Sequence, residues 1–388
     1  MTDKLTELIH HPYRPPAGFE APMPAVHKAS TVIFKDTAAL RARSWKSRAG
    51  YTYGLHGTPT TFMLEERIAT LEGGRYCVLA PSGLAAITMV NLALLKAGDE
   101  VLLPANVYGP SREQARTLLG GLGITHRLYD PMHATALAAM VGAQTKLVWI
   151  EAPGSVTMEF PDLRGLVRAA HGSGAVVALD NTWGAGLAFN AFESGVDLSV
   201  QALTKYASGG GDVLMGSVVS NDEALHHRVL HAHGLIGVAV AGNDAELVLR
   251  SLPTIRVRYE AQDRSARALA AWLGAKPQVS RVLHPAIEGS PGHLHWVSHC
   301  SAAAGLFSVL FDAALSPERV DAFVDALKLF RIGYSWAGPV SLVVPYDLGS
   351  MRSGAGRMPG HLVRFSIGLE ATADLRADLE AALRVGFG

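Results

Sequence analysis

The chain has 388 residues, of which 49% are hydrophobic and 18% are charged, and its formal net charge is zero. This composition is typical of a soluble globular protein with room for more than one domain, and the lack of basic excess argues against nucleic-acid or membrane partners. The two cysteines, Cys77 and Cys300, are too few for a disulfide framework. With no apolar run typical of a signal peptide or a membrane span, we expect a cytoplasmic protein.

The chain falls into three parts by its pattern. Residues 1–57 are rich in Pro, His and Arg and show little periodicity, so we predict an extended N-terminal arm. From residue 58 to about 250, helical patterns alternate with short β-branched runs such as "KLVWIEAP" and "AVVALDNT". This alternation predicts an α/β domain with a mostly parallel sheet and crossover helices. Residues 251–388 predict a smaller α+β domain that ends in a helix.

Three predicted strands end in residues that could carry chemistry. The strand "RYCVLA" runs into the turn Pro81-Ser82-Gly83, where a helix start could bind a phosphate or simply form a tight turn. Asp180 follows "AVVAL" and could cap a helix or face a buried cation. Lys205 follows "VDLSVQAL", and although most lysines are solvated, a lysine with a destabilised charge is a nucleophile toward carbonyls.

The three features together suit one cofactor. Ligands of open α/β sheets lie beyond the carboxyl ends of the strands. Pyridoxal phosphate needs N–H donors for its phosphate, a carboxylate for its pyridine nitrogen and an amine for its aldehyde. The turn at Ser82, the Asp180 carboxylate and the Lys205 amine supply these parts in chain order. The sequence therefore predicts pyridoxal phosphate, and the 16 histidines show no pattern that predicts a metal site.

Seven segments carry a resemblance to a known family. They are "YGLHGTPTTFMLEERIATLEGG" (53–74), "PANVYGPS" (104–111), "EAPGSVTME" (151–159), "LDNTWGAG" (179–186), "QALTKY" (201–206), "GYSWAG" (333–338) and "VRFSIGLE" (363–370). In these segments, the sequence resembles the pyridoxal-phosphate enzymes of cysteine and methionine metabolism. The resemblance implies the fold of PLP-dependent transferases, called fold type I.

The resemblance also implies a role for each matching residue. Lys205 would bind the cofactor covalently and later remove the substrate Cα proton, Asp180 would pair with the pyridine nitrogen, and Tyr108 would stack on the ring. Arg364 would bind the substrate α-carboxylate by two hydrogen bonds. The phosphate would be bound by Ser82, Gly83, Leu84 and Thr204, with Tyr53 reaching the site from a neighbouring subunit, and the substrate would also contact Tyr334, Ser335 and Trp336.

The activity implied by the resemblance is carbon–sulfur β-cleavage of a small amino-acid thioether. L-cystathionine would yield homocysteine, pyruvate and ammonia during methionine biosynthesis, in a homotetramer built from dimers with shared active sites. The segment "YSWAG" favours β-cleavage, because γ-acting members usually carry a "SLGG"-like stretch there. Four alternative functions stay open: a broader cysteine or cystine lyase, a methionine γ-lyase, a cystathionine γ-synthase, and a non-catalytic regulatory protein that binds the cofactor.

Two positions depart from the family pattern. Leu55 stands where the family usually has an arginine beside the cofactor phosphate, and Gly209–Gly211 replace a stretch with histidine or serine before Asp212. We expect the helix start after Pro81 and nearby hydroxyls to meet the phosphate charge instead, with protonated His56 as an extra donor.

Overall fold

A computed structural model of the chain describes residues 3–10, 16–19, 21–46, 50–351 and 358–388. Its N-terminal segment contains two short helices, α1 (Lys4–Ile9) and α2 (Thr37–Ala42). Helix α1 packs against helix α3 (Pro59–Glu72) of the same chain, and the Lys4 ammonium donates a hydrogen bond to the Gly186 carbonyl. The predicted arm is therefore not extended throughout. Its residues 1–2, 11–15, 20 and 47–49 lie outside the described ranges, and its contact with a neighbouring subunit stays a prediction.

A seven-stranded sheet follows the N-terminal segment. Its strands are β1 (Tyr76–Ala80), β2 (Glu100–Pro104), β3 (Thr125–Tyr129), β4 (Thr145–Glu151), β5 (Val176–Asp180), β6 (Leu198–Gln201) and β7 (Gly216–Ser220). The spatial order is β1-β7-β6-β5-β4-β2-β3, and every neighbouring pair is parallel except those that involve β7. The carboxyl ends of β4, β5 and β6 therefore meet at one edge of the sheet.

Helices cover both faces of this sheet. Besides α3 they are α4 (Gly83–Leu94), α5 (Gly109–Gln114), α6 (Ala134–Met140), α7 (Leu163–His171), α8 (Glu223–Ile236) and α9 (Gly242–Ser251). Separate clusters of buried apolar side chains lie on the two faces, as the continuous apolar runs of β4 and β5 require. Thr58 caps the start of α3, and Gly73 ends it with the left-handed φ of 74° that glycine tolerates.

A second sheet of five strands forms the C-terminal part. Its strands are β8 (Val279–Leu283), β9 (Leu306–Phe311), β10 (Arg331–Ile332), β11 (Leu342–Tyr346) and β12 (His361–Ser366), in the order β10-β11-β12-β9-β8. The accompanying helices are α10 (Ile255–Gly274), α11 (His293–His299), α12 (Pro317–Asp325), α13 (Leu348–Met351) and α14 (Thr372–Phe387). Five buried phenylalanines help to form the core on one face: two come from β9, one from β12, one from α12 and one from the segment before β10.

The fold class predicted from the sequence is confirmed: a mostly parallel central sheet is followed by a smaller mixed α/β part. The predicted domain boundary between residues 250 and 251 falls in the last turn of α9 and remains a proposal. Strand β7 was not predicted, because only Val218 and Val219 of its five residues are apolar. In the described part of the chain, no helix is both long and apolar enough to cross a membrane.

Asp378 of α14 generates a stability prediction. Its carboxylate accepts hydrogen bonds from the backbone N–H groups of Lys328, Leu329 and Phe330, at 2.9, 2.8 and 3.4 Å. Asp378→Ala leaves these donors without an acceptor and should lower the free energy of unfolding by roughly 2–4 kcal/mol. Urea denaturation followed by circular dichroism measures the loss. Asp374 is an exposed carboxylate of the same helix, and Asp374→Ala should lower the free energy of unfolding by less than about 1 kcal/mol. Equal losses for the two variants would contradict the role of Asp378 as the acceptor for these N–H groups.

Candidate active site

A cavity of about 500 Å³ opens at the carboxyl ends of β4, β5 and β6, with walls from both sheets. It is lined by eleven of the residues predicted from the sequence: Ser82, Gly83, Leu84, Tyr108, Asp180, Thr204, Lys205, Tyr334, Ser335, Trp336 and Arg364. Tyr53 is the exception, since its half-exposed side chain does not line the cavity. The structure thus gathers residues that are up to 282 positions apart in the chain.

Lys205 follows β6 and projects into the cavity. Its backbone N–H donates to the Ala202 carbonyl at 3.0 Å, and its Nζ lies 5.6 Å from the centre of the Trp336 ring. The ammonium forms no hydrogen bond or ion pair with the described residues. Burial lowers the pKa of Lys205, Asp180 opposes that shift and Arg364 adds to it. A buried amine with a lowered pKa is a better nucleophile near neutral pH.

Asp180 is the last residue of β5. Its Oδ1 accepts hydrogen bonds from the Thr182 N–H at 3.0 Å and from the Thr182 hydroxyl at 2.5 Å. No helix begins here, so the helix-cap alternative is wrong; the residues after Asp180 form turns. Burial raises the pKa of Asp180, while the Thr182 hydrogen bonds and the charge of Lys205 act in the other direction. Both hydrogen bonds fall on Oδ1, so Oδ2 stays available to a ligand cation.

The start of α4 forms one wall of the cavity. Ser82 caps the helix by accepting a hydrogen bond from the Ala85 N–H at 3.0 Å. The N–H groups of Gly83 and Leu84 lie in the first turn, where a helix offers no internal acceptor. A Cβ at Gly83 would lie 2.6 Å from the Cβ of Ala202, so glycine lets the helix start approach the end of β6. These donors fit a phosphate group.

Thr204 and His56 fit the phosphate less well than predicted. The Thr204 hydroxyl donates to the Met215 carbonyl at 3.2 Å and accepts from the Met215 N–H at 3.1 Å, so its hydrogen is already used. His56 stacks on Trp45 with 4.8 Å between ring centres, and burial lowers its pKa. Protonation of His56 is therefore disfavoured, and neither His56 nor Leu55 lines the cavity.

Arg364 of β12 lies on the opposite wall and is 7% exposed. Its Nη2 donates to the Ser335 carbonyl at 3.2 Å, and its guanidinium carbon lies 5.3 Å from the centre of the Tyr346 ring. Its Nε is buried without a hydrogen-bond partner. Burial lowers the pKa of Arg364. A buried guanidinium with an unsatisfied N–H fits the carboxylate of a ligand.

Two residues that the sequence analysis missed also line the cavity. Glu151 ends β4, directly beside Asp180 in the register of β4 and β5. The strand-end rule that selected Asp180 would have selected Glu151 too. Tyr346 lies two residues beyond Val344, the partner of Arg364 in the β11–β12 pairing, and so shares a face with Arg364. No short motif in the sequence could have indicated Tyr346.

The described residues offer little for a metal or a disulfide. No group of three or more His, Cys, Asp or Glu side chains within the described ranges is placed to hold a metal ion. Cys77 and Cys300 are both free thiols.

Comparisons with known proteins place this chain in a family. Residues 5–384 match the family of Cys/Met metabolism PLP-dependent enzymes. A putative cystathionine beta-lyase of Rhizobium johnstonii is 42% identical over 94% of this chain and 91% of its own length. The cystathionine beta-lyase of Bordetella avium is 40% identical over 98% of this chain and 96% of its own length. A cystathionine gamma synthase from Xanthomonas oryzae pv. oryzae was solved in complex with aminoacrylate and cysteine. It superposes on this chain with a TM-score of 0.91 and 28% sequence identity, and the match covers 100% of this chain and 99% of the synthase.

The chain therefore belongs to the Cys/Met metabolism PLP-dependent enzymes. It is a pyridoxal-phosphate-dependent carbon–sulfur lyase. When bound, pyridoxal phosphate supplies an aldehyde that combines with amines and a pyridine ring that accepts electron density from the substrate. The cavity fits this group, because it offers an amine at Lys205, a free carboxylate oxygen at Asp180 and N–H donors at the start of α4.

The electrostatic coupling of Asp180 and Lys205 gives a pH prediction. The Asp180 carboxylate raises the pKa of Lys205 against the lowering by burial. Asp180→Asn removes that charge, so Lys205 should lose its proton at a lower pH. Reductive methylation of the apo-protein at a series of pH values, with mass spectrometry of the Lys205 peptide, measures the midpoint. Asp212→Asn, an exposed control on the same loop, should leave it in place. A midpoint that stays or rises in Asp180→Asn contradicts the coupling.

Proposed function

We propose that the enzyme cleaves L-cystathionine at its β carbon–sulfur bond, giving homocysteine, pyruvate and ammonia in methionine biosynthesis. The observation that carries this proposal is that one cavity holds both the half-buried Lys205 amine and the buried Arg364 guanidinium, whose Nε lacks a hydrogen-bond partner. An α-amino acid carries a carboxylate, which the Arg364 guanidinium would bind, and an amine, which would take the place of the Lys205 amine at the cofactor aldehyde. The cystathionine beta-lyases at 40–42% identity support the choice of substrate.

The proposed roles follow from the positions of the side chains. Arg364 binds the α-carboxylate and fixes the orientation of Cα. Lys205 would hold the cofactor and, once the substrate amine has taken its place, would remove the Cα proton. The Cβ–S bond then breaks and its electron pair leaves on sulfur, while the electron pair from the Cα–H bond forms a Cα=Cβ double bond. The sulfur takes up a proton, and homocysteine departs. The remaining three-carbon fragment adds water and ends as pyruvate and ammonia. Asp180 would pair with the pyridine nitrogen, Tyr108 would stack on the ring face, and the start of α4 would bind the phosphate.

A γ-acting reaction is the second candidate, because the Xanthomonas oryzae γ-synthase shares the fold over the whole chain. A γ-reaction needs a further proton shift from Cβ. The segment "YSWAG", whose Trp336 ring centre lies 5.6 Å from the Lys205 Nζ, supports β-cleavage, because γ-acting members of the family usually carry a "SLGG"-like stretch there. A broader cysteine or cystine lyase would use the same residues as the β-lyase.

We also propose that the enzyme is a cytoplasmic homotetramer of dimers with shared active sites and no nucleic-acid or membrane partner. The two free thiols suit a reducing compartment. The half-exposed position of Tyr53, outside the cavity of its own chain, supports a contact across a subunit boundary.

The proposed reaction is tested by a comparison of substrates. The purified holoenzyme is supplied in turn with L-cystathionine, L-cystine and L-methionine, and the keto acid formed is identified. We expect pyruvate, with the largest kcat/KM for cystathionine. Formation of 2-oxobutyrate would instead indicate γ-cleavage, and a larger kcat/KM for cystine would indicate the broader lyase. If no substrate gives a keto acid, the non-catalytic alternative is supported.

Arg364 should prove essential for binding the α-carboxylate. Arg364→Lys keeps the charge but loses the two parallel hydrogen bonds of the guanidinium. KM should rise, and kcat/KM should fall by a factor that corresponds to a loss of about 2–4 kcal/mol of transition-state stabilisation. Steady-state kinetics with cystathionine measures the change. Arg281→Lys, an exposed arginine of strand β8 in the same sheet, is the matched control and should behave as wild type. If kcat/KM of Arg364→Lys equals that of the control, Arg364 is not in the site.

The shared active site is tested with hybrid oligomers. Tyr53→Phe and Lys205→Ala proteins are each expected to be inactive. Mixed dimers should regain activity, because one of their two sites then combines an intact Tyr53 with an intact Lys205. Activity is measured on hybrids verified by native mass spectrometry. Tyr51→Phe, at a neighbouring tyrosine, should be active without mixing. Inactive hybrids of folded parents would show that Tyr53 does not act across subunits.

A further inference from the structure

Glu151 is a buried carboxylate that lines the cavity beside the proposed cofactor-binding residues. It is 7% exposed and ends strand β4 beside Asp180 of β5. Its Oε1 accepts a hydrogen bond from the Tyr108 N–H at 2.7 Å, and its Oε2 accepts one from the Ser155 N–H at 3.1 Å. One side chain thus holds two separate loops, those that carry Tyr108 and Ser155, at the cavity wall.

Tyr108 depends on this contact for its backbone position. The residue precedes α5, and its carbonyl accepts hydrogen bonds from the Ser111 and Arg112 N–H groups at 2.9 and 3.2 Å. Its N–H is directed to Glu151. The side chain is 42% exposed, so packing alone does not fix the ring. The backbone bonds at both ends of Tyr108 therefore set the place of its ring in the cavity.

The second loop is strained and needs anchors. Val156 and Met158 adopt left-handed φ values of 69° and 59°, which cost energy for non-glycine residues. The Ser155 N–H also donates to the Asn106 carbonyl at 2.9 Å, which links this loop to the segment before Tyr108. The Ser308 hydroxyl donates to the Val156 carbonyl at 2.6 Å from the C-terminal sheet. Glu151 is thus the carboxylate anchor at the start of a loop that both sheets hold in place.

We propose that Glu151 is a positioning residue that fixes the place of the Tyr108 ring in the cavity, relative to the 153–158 loop. This inference rests on the proposed contact of Tyr108 with the cofactor. Glu151 acts through Tyr108, so the two residues should contribute to cofactor binding as one unit.

The charges around Tyr108 agree with this arrangement. The groups that face its phenol are Asp180, Glu151, Arg364 and Tyr346. Burial raises the pKa of Tyr108, and the carboxylates of Asp180 and Glu151 raise it further, while Arg364 acts in the opposite direction. The phenol therefore stays neutral through the physiological range.

The test is a double-mutant cycle on cofactor affinity. The dissociation constant of pyridoxal phosphate is measured by absorbance for apo-protein carrying Glu151→Gln, Tyr108→Ala, both changes or neither. Glu151→Gln alone should weaken binding by about tenfold, within the range of coupling between residues in contact. In the Tyr108→Ala background it should weaken binding by less than about threefold. The backbone N–H of residue 108 is still present in the Tyr108→Ala background. If Glu151 had a purely structural role, Glu151→Gln would therefore weaken binding by the same factor in both backgrounds.

Glu159→Gln is the matched control. Glu159 accepts hydrogen bonds from the Asn106 amide and the Thr157 hydroxyl but none from Tyr108. Its effect on affinity should be the same with Tyr108 or Ala at position 108. Equal losses for Glu151→Gln in both backgrounds, or unchanged affinity, would overturn the inference, and far-UV circular dichroism confirms that each variant is folded. If Tyr108→Ala alone leaves affinity unchanged, its proposed contact with the cofactor fails, and the role of Glu151 fails with it.

Discussion

The burial of two cations in one cavity is the constraint on which the rest of the site depends. Neither Lys205 nor Arg364 forms an ion pair with the described residues, and burial lowers the pKa of both. Buried charges without partners are costly, and the structure tolerates them where a ligand supplies the missing charge. The carboxylates of Asp180 and Glu151 line the same cavity and balance its formal charge. Such a cavity suits a ligand that carries positive and negative charges at separate places. An amino acid bound beside pyridoxal phosphate is a ligand of this kind.

The two sheets place these groups by different means. The parallel sheet brings Glu151, Asp180 and the Lys205 loop together, because β4, β5 and β6 end at the same edge. The C-terminal sheet supplies Arg364 from the middle of an antiparallel strand, where backbone pairing on both sides fixes its position. The Tyr206 hydroxyl accepts a hydrogen bond from the Gly305 N–H at 2.8 Å and so connects the lysine loop to the start of β9. Movement of one sheet relative to the other would change the distance between the two cations.

The sequence predicts the fold class and most of the cavity wall, and the reasons are physical. Apolar runs buried on both faces indicate parallel strands, and strand ends indicate where ligands bind, so Asp180 and Lys205 could be selected without a structure. Glu151 followed from the same rule but was not selected. Tyr346 could not be found this way, because its place beside Arg364 depends on the register of two strands. The Thr204 hydroxyl was assigned to the phosphate, yet a hydrogen bond to Met215, eleven residues further on, already uses it.

The central claim is that Lys205 is the residue that holds the cofactor. Reduction of the holoenzyme with borohydride, followed by proteolysis and mass spectrometry, reports which lysine carries the pyridoxyl group. We predict a single label on Lys205 and none in Lys205→Ala, which should stay folded because the Lys205 side chain lines the cavity and is not part of the hydrophobic core. A label on another lysine of the wild-type enzyme, or an unchanged label in Lys205→Ala, would contradict the account.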